Sequence, residues 1–291
     1  MTRRLPRSVW GVLLSAVAVA LVVGVAVVLW PDEAERTEGS GRGRPDSDVL
    51  VIAHRGASSY APHDTVAAAR EAVSRGADAL EADIRQTSDG HLVALFRASL
   101  APTTDVEQVF PGRSPWRVES FTLAEVRRLD AGSWFGPEFA GERVPTLAQL
   151  ADALDGSDVE LIVEVKSPQR YPGIADRVLR ELRRQPDRFR EVECFEWQFV
   201  RRFARQSPPV QLGAAGTPPE GQLEEVATYA DAVNPQVGSI DTAYVDDAHD
   251  LGLEVKVWSL NTRQAVRRAL AMGVDGIYSH RPDMVRDELG R

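Results

Sequence analysis

The chain has 291 residues and a formal net charge of −9, and its C-terminal 240 or so residues carry no basic cluster. That balance argues against a nucleic-acid partner and leaves phosphate binding to single, locally placed cations. Cys194 is the only cysteine, so no intrachain disulfide is available, and its apolar strand context marks it as a core residue.

Val9–Trp30 is a run of 22 residues without a charge. At about 1.5 Å per residue it is long enough to cross a bilayer core of roughly 30 Å. Residues 1–30 are therefore expected to form a single N-terminal transmembrane anchor. Arg3, Arg4 and Arg7 precede the run, and Asp32, Glu33, Glu35 and Glu38 come after it. The excess of cations on the N-terminal side predicts a cytoplasmic N-terminus and an extracytoplasmic remainder in a single-pass protein of the cell membrane. Trp10 and Trp30 would lie at the two interfaces. A cleaved signal peptide is the rival reading, but the run exceeds a usual h-region and no small-x-small site precedes Pro31. Residues 31–48, rich in Glu, Gly, Arg, Ser and Pro, read as a flexible linker that would keep the C-terminal domain near the membrane surface.

From residue 49 onward, short β-like runs at 49–53, 79–84, 160–165, 191–195, 210–213, 231–234, 254–258 and 275–278 alternate with amphipathic helical stretches. The helices expected are Thr65–Arg75, Ile174–Arg184, Gln198–Arg205, Thr242–Leu251 and Arg263–Met272, several of them closed by a glycine. Eight strands with crossover helices predict an α/β fold, a (β/α)₈ TIM barrel over 49–291 with an inserted subdomain after strand 2, at about 85–159. An open doubly wound sheet would call for a Gly-x-Gly-x-x-Gly turn after the first strand, which is missing. The insertion opens with a hairpin signalled by Asp89-Gly90. A two-residue loop there sets Asp83 opposite Phe96.

Chemistry in such a barrel sits at the C-terminal ends of the strands. Glu81 and Asp83 are two apart on a strand, so both carboxylates leave one face. Val49–Ala53 ends in His54-Arg55-Gly56, and Leu161–Val163 runs into Glu164-Val165-Lys166. Three strand ends thus offer three carboxylates, a histidine and two cations. Oxygen ligands suit a hard divalent cation such as Mg²⁺ or Ca²⁺, while Arg55 and Lys166 suit the oxygens of a phosphate. A purely structural cluster of ion pairs would use the same residue types. Trp258, at a strand end, could line a substrate pocket or pack in the core, and His249 and His280 read as surface residues, the latter with room for a peripheral substrate contact.

These residues resemble the glycerophosphodiester phosphodiesterase family. The resemblance runs from about Val51 to Pro282 and rests on Ala53-His54-Arg55-Gly56, Ala61-Pro62-x-x-Thr65, Gly76-Ala77-Asp78-x-x-Glu81-x-Asp83 and Thr87-x-Asp89-Gly90. It continues through Thr103-Thr104, Leu129-Asp130-x-Gly132-x-Trp134-Phe135, Val144-Pro145-Thr146-Leu147, Glu164-x-Lys166, Val257-Trp258-Ser259-x-Asn261 and Gly273-Val274-Asp275-Gly276-Ile277. It implies metal-dependent hydrolysis of a glycerophosphodiester to glycerol phosphate and an alcohol. Glu81, Asp83 and Glu164 would be the metal ligands, Arg55 and Lys166 would hold the phosphate, and His54 would be one of two catalytic histidines.

The chain departs from that pattern at two places. Where the family usually has His-Asp, the second catalytic histidine and its neighbour, it has Phe96-Arg97. Where the family has Pro-Glu-Asn-Thr, it has Pro62-His63-Asp64-Thr65, which brings His63 to the same end of the barrel as a substitute for the lost histidine. Hydrolysis slowed by the loss of one acid–base group is the leading reading. The alternatives are a degenerate barrel that binds phosphodiesters or lipid head groups at the membrane surface without turnover, and a phospholipase on the same scaffold.

Overall fold

The structure is a computed structural model that describes residues 48–291. The expected transmembrane segment, and all of the expected linker but residue 48, lie outside the described residues. Among those described, no helix is long and apolar enough to cross a membrane.

Nine strands are found among the described residues: β1 Leu50–His54, β2 Ala79–Gln86, β3 Leu92–Ala94, β4 Glu160–Val165, β5 Phe189–Cys194, β6 Gln211–Ala215, β7 Ala232–Asn234, β8 Glu254–Val257 and β9 Gly276–Ser279. All but β3 pair in parallel, in the order β1-β9-β8-β7-β6-β5-β4-β2, and β1 also pairs with β2, which closes the eight into a barrel. Helices cross between most strands, among them α1 Val66–Ser74, capped by the Thr65 hydroxyl on the Ala68 amide, and the longer helix Ile174–Arg184.

Strand parity decides which side chains meet. Val51, Ala53, Leu80, Ala82, Ile84, Leu161, Val163 and Val165 face outward and form the main core with the helices. Leu50, Ile52, Ala79, Ile162, Tyr278 and Trp258, of the opposite parity, form a separate apolar cluster inside the barrel. Beside it the interior is polar: Lys256 Nζ lies 2.6 Å from Glu191 Oε2, and the Asn234 amide donates to Glu191 Oε1 at 2.7 Å.

The insertion hairpin differs from its expected register. β2 and β3 pair Ile84 with Ala94 and Gln86 with Leu92, and the Leu95 amide donates to the Asp83 carbonyl. Asp83 therefore faces Leu95, not Phe96. The reason is loop length: Thr87 and His91 close a loop of three residues with Gly90 at positive φ, where Asp89-Gly90 alone had suggested two. Farther along, Asp130 organises the next loop by accepting from the amides of Gly132, Ser133 and Gly141 at 2.9, 2.8 and 2.7 Å. Any side chain at Gly132 would strike the Phe139 carbonyl oxygen, 1.9 Å from where its Cβ would stand.

Candidate active site

The chain turns sharply after β1. Arg55 and Gly56 both take positive φ, 59° and 82°, and a Cβ on Gly56 would come within 2.6 Å of Ala68 Cβ. This turn leaves His54 at the barrel mouth and points the Arg55 amide at Glu81 Oε2, 2.9 Å away. It is pinned to β2 by buried Asp64, whose amide donates to the Arg55 carbonyl and whose Oδ1 accepts from the Asp83 amide.

Inward-facing residues at the C-terminal strand ends line a cavity of about 390 Å³: His54, Arg55, Phe96, Glu164, Lys166, Glu193, Phe195, Trp258, Tyr278 and His280 among them. Glu81, Glu164 and Glu193 each offer one oxygen within 4.8 Å of the others, and all three are buried. Glu81 Oε1 is buried with no hydrogen-bond partner. Burial first, and Asp83 second, push the Glu81 carboxyl well above its ordinary range. The same two causes raise Glu164 to about 7, and burial with Glu164 nearby raises Glu193. Oxygen-only donors, mutual repulsion and an orphaned buried carboxylate oxygen together fit a hard divalent cation.

Asp83 is placed differently from its sequence neighbour. Its buried carboxylate lies 2.6 Å from Arg55 Nε and 3.2 Å from Lys166 Nζ, so it balances the two cations, and Lys166 also bonds Glu164 at 2.5 Å. Burial opposes the charge on both cations, but Asp83 and its acidic neighbours outweigh it and raise both affinities for the proton. The Arg55 guanidinium lies 3.5 Å from the Phe96 ring centroid.

His54 Nε2 is 3.8 Å from Glu81 Oε2, and burial, with Arg55 next, lowers its pKa well below 6.5. Burial and Arg55 also lower His280. His280, expected at the surface, lines the cavity with its ring centroid 4.8 Å from that of His54. It stands two residues beyond inward-facing Tyr278, so parity extended past the end of β9 would have found it. The same rule applied to β5 finds Glu193, which accepts from the Tyr278 hydroxyl at 3.0 Å and from the Asn234 amide. His249, also expected at the surface, is half-buried with Nε2 2.8 Å from Asp275. His63 bonds Asp64 at 3.1 Å and sets its ring edge-on to Phe96 and Trp134, outside the residues that line the cavity. Trp258 is half-buried in the cavity wall, its indole N–H on the Asn234 carbonyl.

Residues 54–284 match the family model of the glycerophosphoryl diester phosphodiesterase family. The chain belongs to this family. Among its relatives, a putative glycerophosphodiester phosphodiesterase of Bacillus subtilis, YhdW, is 32% identical over 243 residues, covering 81% of this chain and 96% of that protein. A glycerophosphodiester phosphodiesterase of Caldanaerobacter subterraneus is 31% identical, covering 81% of this chain and 95% of its own length. Of solved structures, that of a putative glycerophosphoryl diester phosphodiesterase from Silicibacter pomeroyi superposes with a TM-score of 0.71 at 28% identity, over 83% of this chain and 93% of that one. Family membership makes the chain a phosphoric diester hydrolase by type, on the family's eight-stranded barrel.

Proposed function

We propose that this chain hydrolyses glycerophosphodiesters to glycerol phosphate and an alcohol at the mouth of its barrel, with a divalent cation held by Glu81, Glu164 and Glu193 and Asp83 at its edge. The observation that carries the reading is a cluster of three buried carboxylates, two of which line one cavity together with two cations and two histidines. When bound, the cation would neutralise charge on the phosphate and acidify an attacking hydroxyl.

The chain's own residues supply the rest. Arg55 and Lys166 neutralise the non-bridging oxygens and are held in place by Asp83. A bond forms from the attacking oxygen to phosphorus and the bond to the alcohol breaks; one proton leaves the nucleophile and one reaches the departing oxygen. His54, kept neutral by burial, can accept the first.

His280 is better situated than His63 for the second transfer. The Ser58 hydroxyl donates to the His54 carbonyl at 2.8 Å and lies 2.5 Å from His280 Nδ1. With its single proton committed to that carbonyl, Ser58 accepts from His280 Nδ1–H, which leaves His280 Nε2 to take up a proton; in that imidazolium form it can give the proton to the departing oxygen. On this reading Phe96 does not transfer a proton in place of the family's second histidine; it supports Arg55. Arginine and lysine beside a buried acid cluster would also serve a binding protein without turnover, the second reading.

We further propose that residues 1–30 anchor the enzyme to the cell membrane with its barrel extracytoplasmic, a reading supported by the uncharged run and the charge asymmetry around it. Choline release from glycerophosphocholine with Mg²⁺ or Ca²⁺, abolished by EDTA and by Glu81→Ala, is the expected result. Saturable binding without product would favour the binding protein, and product from intact phospholipid alone would favour a phospholipase.

A further inference from the structure

An open cleft of about 490 Å³ adjoins the catalytic cavity and shares Phe96 and Lys166 with it as a common wall. Arg85, Arg97 and Arg117 complete its charged lining, and no aspartate or glutamate lines it. Lys166 is committed to Asp83 and Glu164. The arginines are not so committed. Arg85 is buried and donates to the carbonyls of Leu95 and Phe96 and to the Tyr171 hydroxyl, with no carboxylate partner among the described residues. Arg97 and Arg117 are exposed and make no ion pair among the described residues. Glu119 acts on Arg117 through space, but its carboxylate is bonded to Arg170.

Exposed arginines alone are ordinary, because water solvates them. A buried guanidinium with no counter-charge is not, since a charge out of water is normally paired. Three arginines around one acid-free cleft, in a chain of net charge −9, give a local positive field beside the reacting phosphate. Arg97 stands where the resembled pattern has an aspartate, so this chain exchanges a negative charge for a positive one at the rim.

We propose that this cleft binds a second anionic group of the same substrate, a further phosphate carried by one arm of the diester, so that the preferred substrates are dianionic or polyanionic diesters. The inference rests on the hydrolytic reading of the adjoining cavity. The shared wall lets one molecule occupy both sites, one phosphate against Arg55 and Lys166 and the next among Arg85, Arg97 and Arg117, whose planar forks match phosphate oxygens.

The test is calorimetric titration of the full-length chain carrying His54→Asn, with Mg²⁺ present and at low ionic strength, so that ligand is not consumed. Deacylated cardiolipin, with two phosphodiesters on one glycerol, is compared with glycerophosphocholine, which has one. The dianion is expected to bind about tenfold more tightly. Arg97→Ser with Arg117→Ser should reduce that advantage to about twofold while leaving glycerophosphocholine binding unchanged. Equal affinity for the two ligands, or an advantage retained in the double variant, overturns the proposal. Turnover of glycerophosphocholine by the chain with His54 intact is read separately. Its absence counts against the hydrolytic reading, while a tenfold advantage lost in the double variant would still support the cleft.

Discussion

Arg55 is clamped between an aromatic face and a carboxylate: its guanidinium carbon lies 3.5 Å from the Phe96 ring centroid and its Nε 2.6 Å from Asp83. A cation–π contact of this kind contributes about 0.5–2 kcal/mol as it becomes desolvated. Phe96→Ala should therefore raise KM about three- to tenfold while kcat falls less and the melting temperature changes little. Unchanged steady-state parameters in Phe96→Ala would show that Asp83 alone orients Arg55.

The histidines should separate by position. His54→Ala and His280→Ala remove groups that line the cavity, and each is expected to lower kcat by about 10²–10⁴-fold. His63→Ala removes a ring packed against Phe96 and Trp134, and its loss should stay within about tenfold. Steady-state kinetics on the three variants decide this. The opposite order, with His63→Ala the more damaging, would return the second proton transfer to His63.

Metal loading should expel protons. Burial and mutual repulsion raise the Glu81 and Glu193 carboxyls and bring Glu164 to about 7, so the metal-free site holds protons at and below neutral pH. A bound cation favours the ionised forms, hence affinity should rise with pH through about 7. Titrating Mg²⁺ or Ca²⁺ at pH 7 into buffers of different ionisation enthalpy should reveal the released proton. Glu193→Gln should weaken binding of the ion about tenfold or more. A heat independent of buffer would contradict the carboxylate site.

Asp130 links acid stability to one loop. Its carboxylate accepts from the amides of Gly132, Ser133 and Gly141, and these bonds, outweighing the burial that opposes ionisation, hold it down at about 2. A carboxyl depressed in the folded state stabilises above its unfolded pKa, and that contribution is lost as pH falls from about 4 towards 2. Asp130→Ala should destabilise the chain by about 2 kcal/mol at pH 7, with the difference from the native chain shrinking in that acid range. Urea unfolding at several pH values measures it, and a difference unchanged down to pH 2 would show that the loop is held by other contacts.

Residues close in sequence made much of the site legible. Glu81-x-Asp83 and Glu164-x-Lys166 follow from the two-residue period of a strand, and the alternation of strands with helices implied a barrel whose mouth collects them. The unforeseen residues have partners elsewhere in the barrel. Glu193 is fixed by Asn234 and Tyr278, and His280 by Ser58, 222 positions away. Nor does sequence say that Asp83 faces two cations while Glu81 keeps an orphaned oxygen, because that depends on side-chain direction at the Arg55 turn. The hairpin register hinged on a single extra loop residue. In the insertion, α2 Val106–Val109 and α3 Leu123–Val126 are about one turn each, too short for a 3.6-residue period to show.

Cleavage of a phosphodiester at this cavity is read directly by phosphorus NMR of glycerophosphocholine incubated with the full-length chain and Mg²⁺ or Ca²⁺. The diester resonance should give way to that of a glycerol phosphate monoester, and should persist with EDTA or with Glu81→Ala. A diester signal that persists with either ion, in a folded chain that still binds the ligand, would contradict catalysis.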